Sequence, residues 1–476
     1  MNQSLAAQHV PVERIVNLMD PEGNIFLDPE MNTAIATRQL CEQGADAIAN
    51  IRGQFALLSV QGKTIRMARS IGRPMRYFLA KRAAGPCLIV AERLDQIVAQ
   101  LETDGLQDQF HPSYTRMVPA HHVMQLQLVG CPDPNPTLTR FFAPPRNRLP
   151  ADIEQIGHAY VSQIAAACDA WLNSLSDDEP IGVMFSGGID SGCIALLLHH
   201  LLLNRGQSPA RLKCFTLSVD GDGADANQAR QFLDALNMSM LLEVIDVPAS
   251  AIDYRQAIRV IEDYKPLDVQ SAAMGLALCR AIRQQYPDWK WLVDGDGGDE
   301  NLKDYPIEDN PELTIRSVLG NRMLYQEGWG VDAVKHSLVY SGGQSRGHVR
   351  TFAPGAVNGF RGFSPMALPE VIAPAEAIPF IELTDWDHQR LYDLKGAVVA
   401  AGVRSVTGLE MPIFTKRRFQ HGALATTNLP GNQESSGASE DASDGQGPGG
   451  REPSGFERLF PPHESTYRSY FAEQYA

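Results

Sequence analysis

Val183-Met184-Phe185-Ser186-Gly187-Gly188-Ile189-Asp190-Ser191-Gly192 is the stretch that decides how the rest of this chain is read. Ile181 to Phe185 is an apolar run of strand length, and Cys193 to Asn204 is an apolar run of helical length. The two glycines therefore fall where a buried strand turns into a helix. Such a turn lets the backbone approach an oxyanion closely, and the helix N-terminus directs free N–H groups at it. Ser186 and Ser191 add hydroxyl donors. Asp190 would repel a phosphate, but it suits a Mg²⁺ that bridges a polyphosphate. The Gly-Lys-Ser/Thr of a Walker A loop is absent.

Strands and helices alternate outward from this loop. Leu212 to Val219, Leu241 to Val247 and Trp289 to Val293 read as further apolar strands. Helical stretches at 224–236, 252–262 and 271–286 separate them. Continuous apolar strands between helices predict an α/β fold, a doubly wound parallel sheet covered on both faces. Beyond Asp304 the pattern reads as helical to about Gly422. Upstream, Gly53 to Val60 and Thr64 to Arg69 read as one hairpin, and Arg76 to Ala80 with Cys87 to Ala91 as another. Helical periodicity follows at Leu94, Ile97, Val98 and Leu101.

The expected domains are a strand-rich unit over 1–140, a Pro-rich linker over 141–150 and the α/β unit over 151–430. A low-complexity, disordered loop over 431–455 and an aromatic anchor over 456–476 complete the chain. Residues 432–455 contain no aromatic or branched aliphatic side chain, whereas Phe456, Phe460, Tyr467, Tyr470, Phe471 and Tyr475 follow closely.

The 476 residues are 44% hydrophobic and 20% charged, enough apolar surface for two cores. The formal net charge of −15 argues against phosphate-backbone or anionic-membrane partners, so neither nucleic acid nor membrane is expected. Seven cysteines stand at least 21 residues apart, without a zinc half-site or a disulfide framework. With no signal-like N-terminus and no long apolar run, a cytoplasmic location is expected.

The Ser-Gly-Gly-Ile-Asp-Ser hexapeptide resembles the PP-loop of the ATP pyrophosphatase superfamily. Its members split ATP between the α- and β-phosphates and pass AMP to a substrate oxygen. Leu292-Val293-Asp294-Gly295-Asp296-Gly297-Gly298-Asp299-Glu300 follows the fourth strand and resembles the S-G-E-G-(A/S)-D-E segment of the asparagine synthetase family. Asp294 replaces a Ser there, and Asp296 replaces the usual Glu. Lys416-Arg417-Arg418-Phe419-Gln420-His421-Gly422 is similar to the family's K-x-x-F-x-x-G, and Tyr467-Arg468-Ser469-Tyr470-Phe471 to its C-terminal ending.

These resemblances imply ATP and Mg²⁺ as cofactors. Ser186, Gly187, Gly188, Asp190 and Ser191 would hold the pyrophosphate, and Asp190 with Asp299 would hold the metal. Gly295 and the second strand, Leu217 included, would border the nucleotide. Lys416 would stabilise the charge of the adenylation transition state. Asp296 would face the substrate amine or carboxylate.

Gly53-Gln54-Phe55-Ala56 with Ala68-Arg69-Ser70-Ile71-Gly72-Arg73-Pro74 is similar to the class II glutamine amidotransferase (Ntn-type) domain of that family. That domain carries a cysteine nucleophile at residue 2. Here residue 2 is Asn, and the family's glutamine-binding segment is missing from the first 50 residues, so a degenerate domain without glutaminase activity is expected. The family logic is then that of β-lactam synthetases and lasso-peptide cyclases. An amide-forming ligase would adenylate a small-molecule or peptide carboxylate and let an amine or ammonia displace AMP. A homodimer is admitted. Ammonia-dependent asparagine synthesis and a non-catalytic nucleotide-binding homologue are the alternatives.

Overall fold

A computed structural model describes residues 14–128, 135–221, 223–304, 314–320, 348–414, 423 and 455–475. Among the described residues ten short strands precede residue 141: β1 (Arg14–Asn17), β2 (Ile25–Phe26), β3 (Gly53–Gln54), β4 (Ala56–Gln61), β5 (Thr64–Arg69), β6 (Arg76–Arg82), β7 (Gly85–Ala91), β8 (Arg116–Met117), β9 (His122–Gln127) and β10 (Thr137–Arg140). They form two four-stranded sheets, ordered β1-β7-β6-β8 and β10-β9-β5-β4, with β2 and β3 as a separate pair. Both expected hairpins are present, as the antiparallel pairs β4–β5 and β6–β7.

Period-2 alternation sorts these strands into layers. Ile65, Met67, Leu88, Val90, Met124 and Leu126 share one core between the two sheets. Leu57, Ala68 and Val123 point the other way, against Ala36 and Leu40 of the helix Thr33–Gln43. Phe78, Cys87, Ile89 and Ala91 face Ile97 and Leu101 of the helix Leu94–Thr103. The result is a helix–sheet–sheet–helix sandwich. Residues 1–13, and with them the residue 2 on which the glutaminase expectation turns, lie outside the described residues.

The second half is built on a five-stranded sheet: β11 (Ile181–Met184), β12 (Leu212–Val219), β13 (Leu242–Val247), β14 (Trp291–Val293) and β15 (Arg361–Phe363). Its order is β13-β12-β11-β14-β15, and every neighbouring pair is parallel. The expectation of a parallel α/β sheet is met. The expectation that everything beyond Asp304 is helical is not, because β15 completes the sheet edge. Three residues, Arg361-Gly362-Phe363, are too short to show a period of their own, and they become a strand through register with Trp291–Val293.

Two cores flank this sheet. One packs Ile181, Val183 and the helix Ile189–Asn204 against the helices Ile153–Leu172 and His388–Thr407. The other packs Phe215, Leu217 and Ile245 against the helices Tyr254–Ile261 and Pro266–Gln285. Tyr467 and Phe471, on the helix Glu464–Gln474, are buried in this second core. Residues 431–454 of the low-complexity stretch are outside the described set. No described helix is long and apolar enough to cross a membrane.

The halves are joined by charge as well as by packing. The Arg93 guanidinium donates to the carbonyls of Val260 (2.6 Å) and Arg259 (2.9 Å). Glu262 is buried and left-handed (φ +54°), accepts the Leu94 N–H at 2.5 Å, and pairs with Arg76 at 2.8 Å. Tyr475 sets its ring 6.0 Å from that of Phe110.

Candidate active site

The site forms along the C-terminal edge of the parallel sheet, where ligands sit in open α/β folds. Ser186, Gly187 and Gly188 turn β11 into the helix Ile189–Asn204. Gly187 is left-handed (φ +70°), and a Cβ there would stand 2.8 Å from Ala229 N. Glycine is required on both counts. The Ser191 hydroxyl accepts the Ser186 N–H at 3.2 Å and lies 3.2 Å from Ser186 Oγ, while Ser186 Oγ accepts the Gly188 N–H at 3.2 Å. The two serines thus brace a loop whose helix N-terminus presents its amides. Beside it, Thr216 to Val219 of β12 run on past Met184, the last β11 residue in the ladder. The side chain of Leu217 is wholly buried, so only its main chain is available to a ligand.

The acidic loop after β14 closes directly on Asp190. A Cβ on Gly295 would lie 2.8 Å from Asp190 Cβ, and one on Gly298 would overlap the Asp190 carboxylate. Asp190 and Asp299, far apart in sequence, converge on one ammonium. Lys395 Nζ lies 2.5 Å from Asp190 Oδ2, in ion-pair contact with Asp299 Oδ1, and 3.3 Å from Asp304 Oδ2. Burial disfavours the Lys395 charge, but the three carboxylates outweigh it and hold the ammonium well above the usual lysine range. Three carboxylates around one ammonium leave two negative charges on hard oxygen donors, a set that suits a divalent cation such as Mg²⁺. Among the described residues no three His, Cys, Asp or Glu side chains form a metal cage of their own. Any such ion would complete its shell with phosphate and water.

A second cluster sits deeper. Asp294 Oδ2 accepts from Thr351 Oγ1 (2.9 Å) and Ser364 Oγ (3.0 Å), and Asp294 Oδ1 accepts the Asp296 N–H (3.1 Å). Thr351 Oγ1 also hydrogen-bonds Asp296 Oδ2. Burial pushes Asp294 up to about 6. Burial and the adjacent Asp294 charge push Asp296 well above the carboxylate range. Arg350 reaches the same region. Desolvation opposes its charge, while Glu300, Asp268, Asp296 and Asp299 raise its pKa.

All the expected residues except Lys416 fall into this one region, and Lys416 lies outside the described residues. Sequence reasoning overlooked Lys395, Asp304, Thr351 and Ser364. For Lys395 a signal existed. Leu391, Leu394 and Val398 mark the buried face of its helix, and Lys395 lies on that face.

Residues 168–340 match the asparagine synthase family. A probable glutamine-hydrolysing asparagine synthetase of Acanthamoeba polyphaga mimivirus is 29% identical over 134 residues, 28% of this chain and 23% of the relative. Amidase chry2 of Gibberella zeae and amidase chyE of Penicillium rubens are each 32% identical over 140 residues, 28% of this chain and 20% of each relative. The matched stretch is thus about a fifth of the length of these relatives. The family match, over residues 168–340, covers the Ser186–Ser191 loop and the acidic loop and ends before Lys395, the ammonium that joins them.

Proposed function

We propose, with an asparagine synthase domain at residues 168–340 as premise, that this chain is an ATP- and Mg²⁺-dependent amide-forming ligase. A substrate carboxylate oxygen attacks the α-phosphorus of ATP and the α–β bond breaks, releasing pyrophosphate. An amine or ammonia then attacks the acyl carbon, AMP leaves with the C–O electron pair, and the amine's proton passes to a carboxylate. Glutamine hydrolysis plays no part in the reading.

The observation that supports it is the convergence of Asp190 and Asp299 beside the Ser186–Ser191 loop. The loop amides and serine hydroxyls bind the pyrophosphate moiety, and Asp190 with Asp299 holds the Mg²⁺ that neutralises it. Lys395 keeps the two carboxylates together. The main chain of β12 around Leu217 borders adenine and ribose, and Gly295 lets the acidic loop close beside them. Asp296 faces the substrate amine or carboxylate. Lys416 stabilises the charge that builds at the reacting centre. The partners are a small-molecule or peptide carboxylate and an amine, in a cytoplasmic enzyme.

The test is ATP–pyrophosphate exchange against a panel of amino acids and dicarboxylates without glutamine. One carboxylate should stimulate exchange, and Asp190→Asn and Asp299→Asn should each reduce it by about 100-fold or more. ATP binding without exchange for any carboxylate, peptides included, would favour a nucleotide-binding role without turnover. Stimulation by glutamine would overturn the assignment of the N-terminal unit.

A further inference from the structure

Gln54 lies in the strand-rich N-terminal unit, yet its side chain ends in the other half of the molecule. Its Oε1 accepts the Ser364 N–H at 2.9 Å, and the residue is 1% exposed. Ser364 follows β15, and its hydroxyl donates to Asp294 Oδ2 at 3.0 Å. Asp294 in turn holds the Asp296 N–H at 3.1 Å. A line of three hydrogen bonds therefore runs from the N-terminal unit to the acidic loop. The Gln54 amide is backed on its other side by Gly72, where a Cβ would overlap Gln54 Nε2. That nitrogen is buried without a partner among the described residues, so the Ser364 contact and the Gly72 wall fix the amide. Gln54 and Gly72 belong to the Gly53-Gln54-Phe55-Ala56 and Ile71-Gly72-Arg73-Pro74 segments.

We infer that Gln54, seated against Gly72, is a positioning residue that holds Ser364 and through it the Asp294–Asp296 loop in the geometry the ligase needs. The strand-rich unit thereby contributes to the synthetase site without touching a substrate. The inference rests on the proposed ligase reading for its kinetic consequence, but not for its structural one. A buried N–H that loses its acceptor must find another or pay the desolvation cost, so Ser364 will not stay in place unaided.

Two measurements on the full chain test this separately. In hydrogen–deuterium exchange, Gln54→Met keeps the volume and removes the acceptor, and Gly72→Ala displaces the amide from behind. Both should speed exchange at least tenfold in peptides covering 291–304 and 361–367, with 193–204 unchanged as the internal control. Gln54→Glu keeps an acceptor oxygen and should retain protection at Ser364. In ATP–pyrophosphate exchange, Gln54→Met should raise KM for the stimulating carboxylate about tenfold while KM for ATP stays within twofold. Unchanged protection at 291–304 and 361–367 in a folded Gln54→Met protein would overturn the inference. So would loosening spread over the whole chain, or an equal rise in both KM values. Absence of exchange in the unsubstituted protein would count against the ligase reading alone, leaving the deuterium result to decide on Gln54.

Discussion

At the scale of single residues, the tightest glycine approach within the candidate site is that of Gly298 to Asp190. A methyl group at 298 overlaps the carboxylate, so Gly298→Ala must push the acidic loop and Asp190 apart. Overpacking of this kind costs about 1–3 kcal/mol, and the displacement should lower exchange activity by about 100-fold. Denaturant unfolding and the exchange assay together check this, and a fully active Gly298→Ala protein would show that the two loops move freely. Asp190 and Asp299 were legible in the sequence because each follows an apolar strand in a Gly-rich turn, and parallel strands end on the same edge. Lys395 was harder to find. It sits mid-helix with no motif around it, and its role comes only from the helix–helix packing that carries it to the carboxylates.

At the scale of elements, the turn into the helix Pro266–Gln285 carries a carboxylate that titrates with folding. Asp263 is buried, with Oδ1 accepting the Tyr264 N–H at 2.6 Å and the Lys265 N–H at 3.1 Å, and with Oδ2 unpartnered among the described residues. Burial first, and the nearby Asp268 charge after it, push Asp263 up to about 7 against the opposing Lys265. A raised acid pKa means that the folded chain holds a proton the unfolded chain has released. This contribution to stability is present below about pH 4 and is lost as pH rises towards 7, by at most about 1.4 kcal/mol per pH unit. Asp263→Asn should therefore flatten the pH dependence of unfolding between pH 5 and 7 and be the more stable protein at pH 8. A pH slope unaltered by the substitution would disprove this. The strands β11 to β14 were legible as apolar runs bounded by helices. β15 was not, because its identity lies in its partner Trp291–Val293 and not in its own three residues.

At the scale of the whole molecule, the two halves meet through buried charge. Glu262 is almost wholly inaccessible and faces Arg76 at 2.8 Å, with Arg93 at 3.7 Å. Glu262→Gln would leave the buried Arg76 without its counter-ion, which costs about 3–5 kcal/mol when one partner of such a pair is removed. Unfolding should then separate into two transitions in calorimetry as the halves uncouple, whereas a single unshifted transition would show that packing alone joins them. Composition and motif spacing predicted a strand-rich unit and an α/β unit. They did not reveal the joint, because Arg76, Arg93 and Glu262 have no pattern in sequence and acquire meaning only when sheets and helices bring them together.

The two struts from the strand-rich half, Gln54 to Ser364 and Arg76 to Glu262, also bear on how such a gene can change over generations. Substitutions that abolish a reaction there leave the struts standing, while a deletion of the half removes Gln54, Arg76 and Arg93 together. Drift should therefore be wide on its outer helices and narrow at these three positions and at Gly72. A lineage that discards the half must first acquire new partners for Ser364 and Glu262.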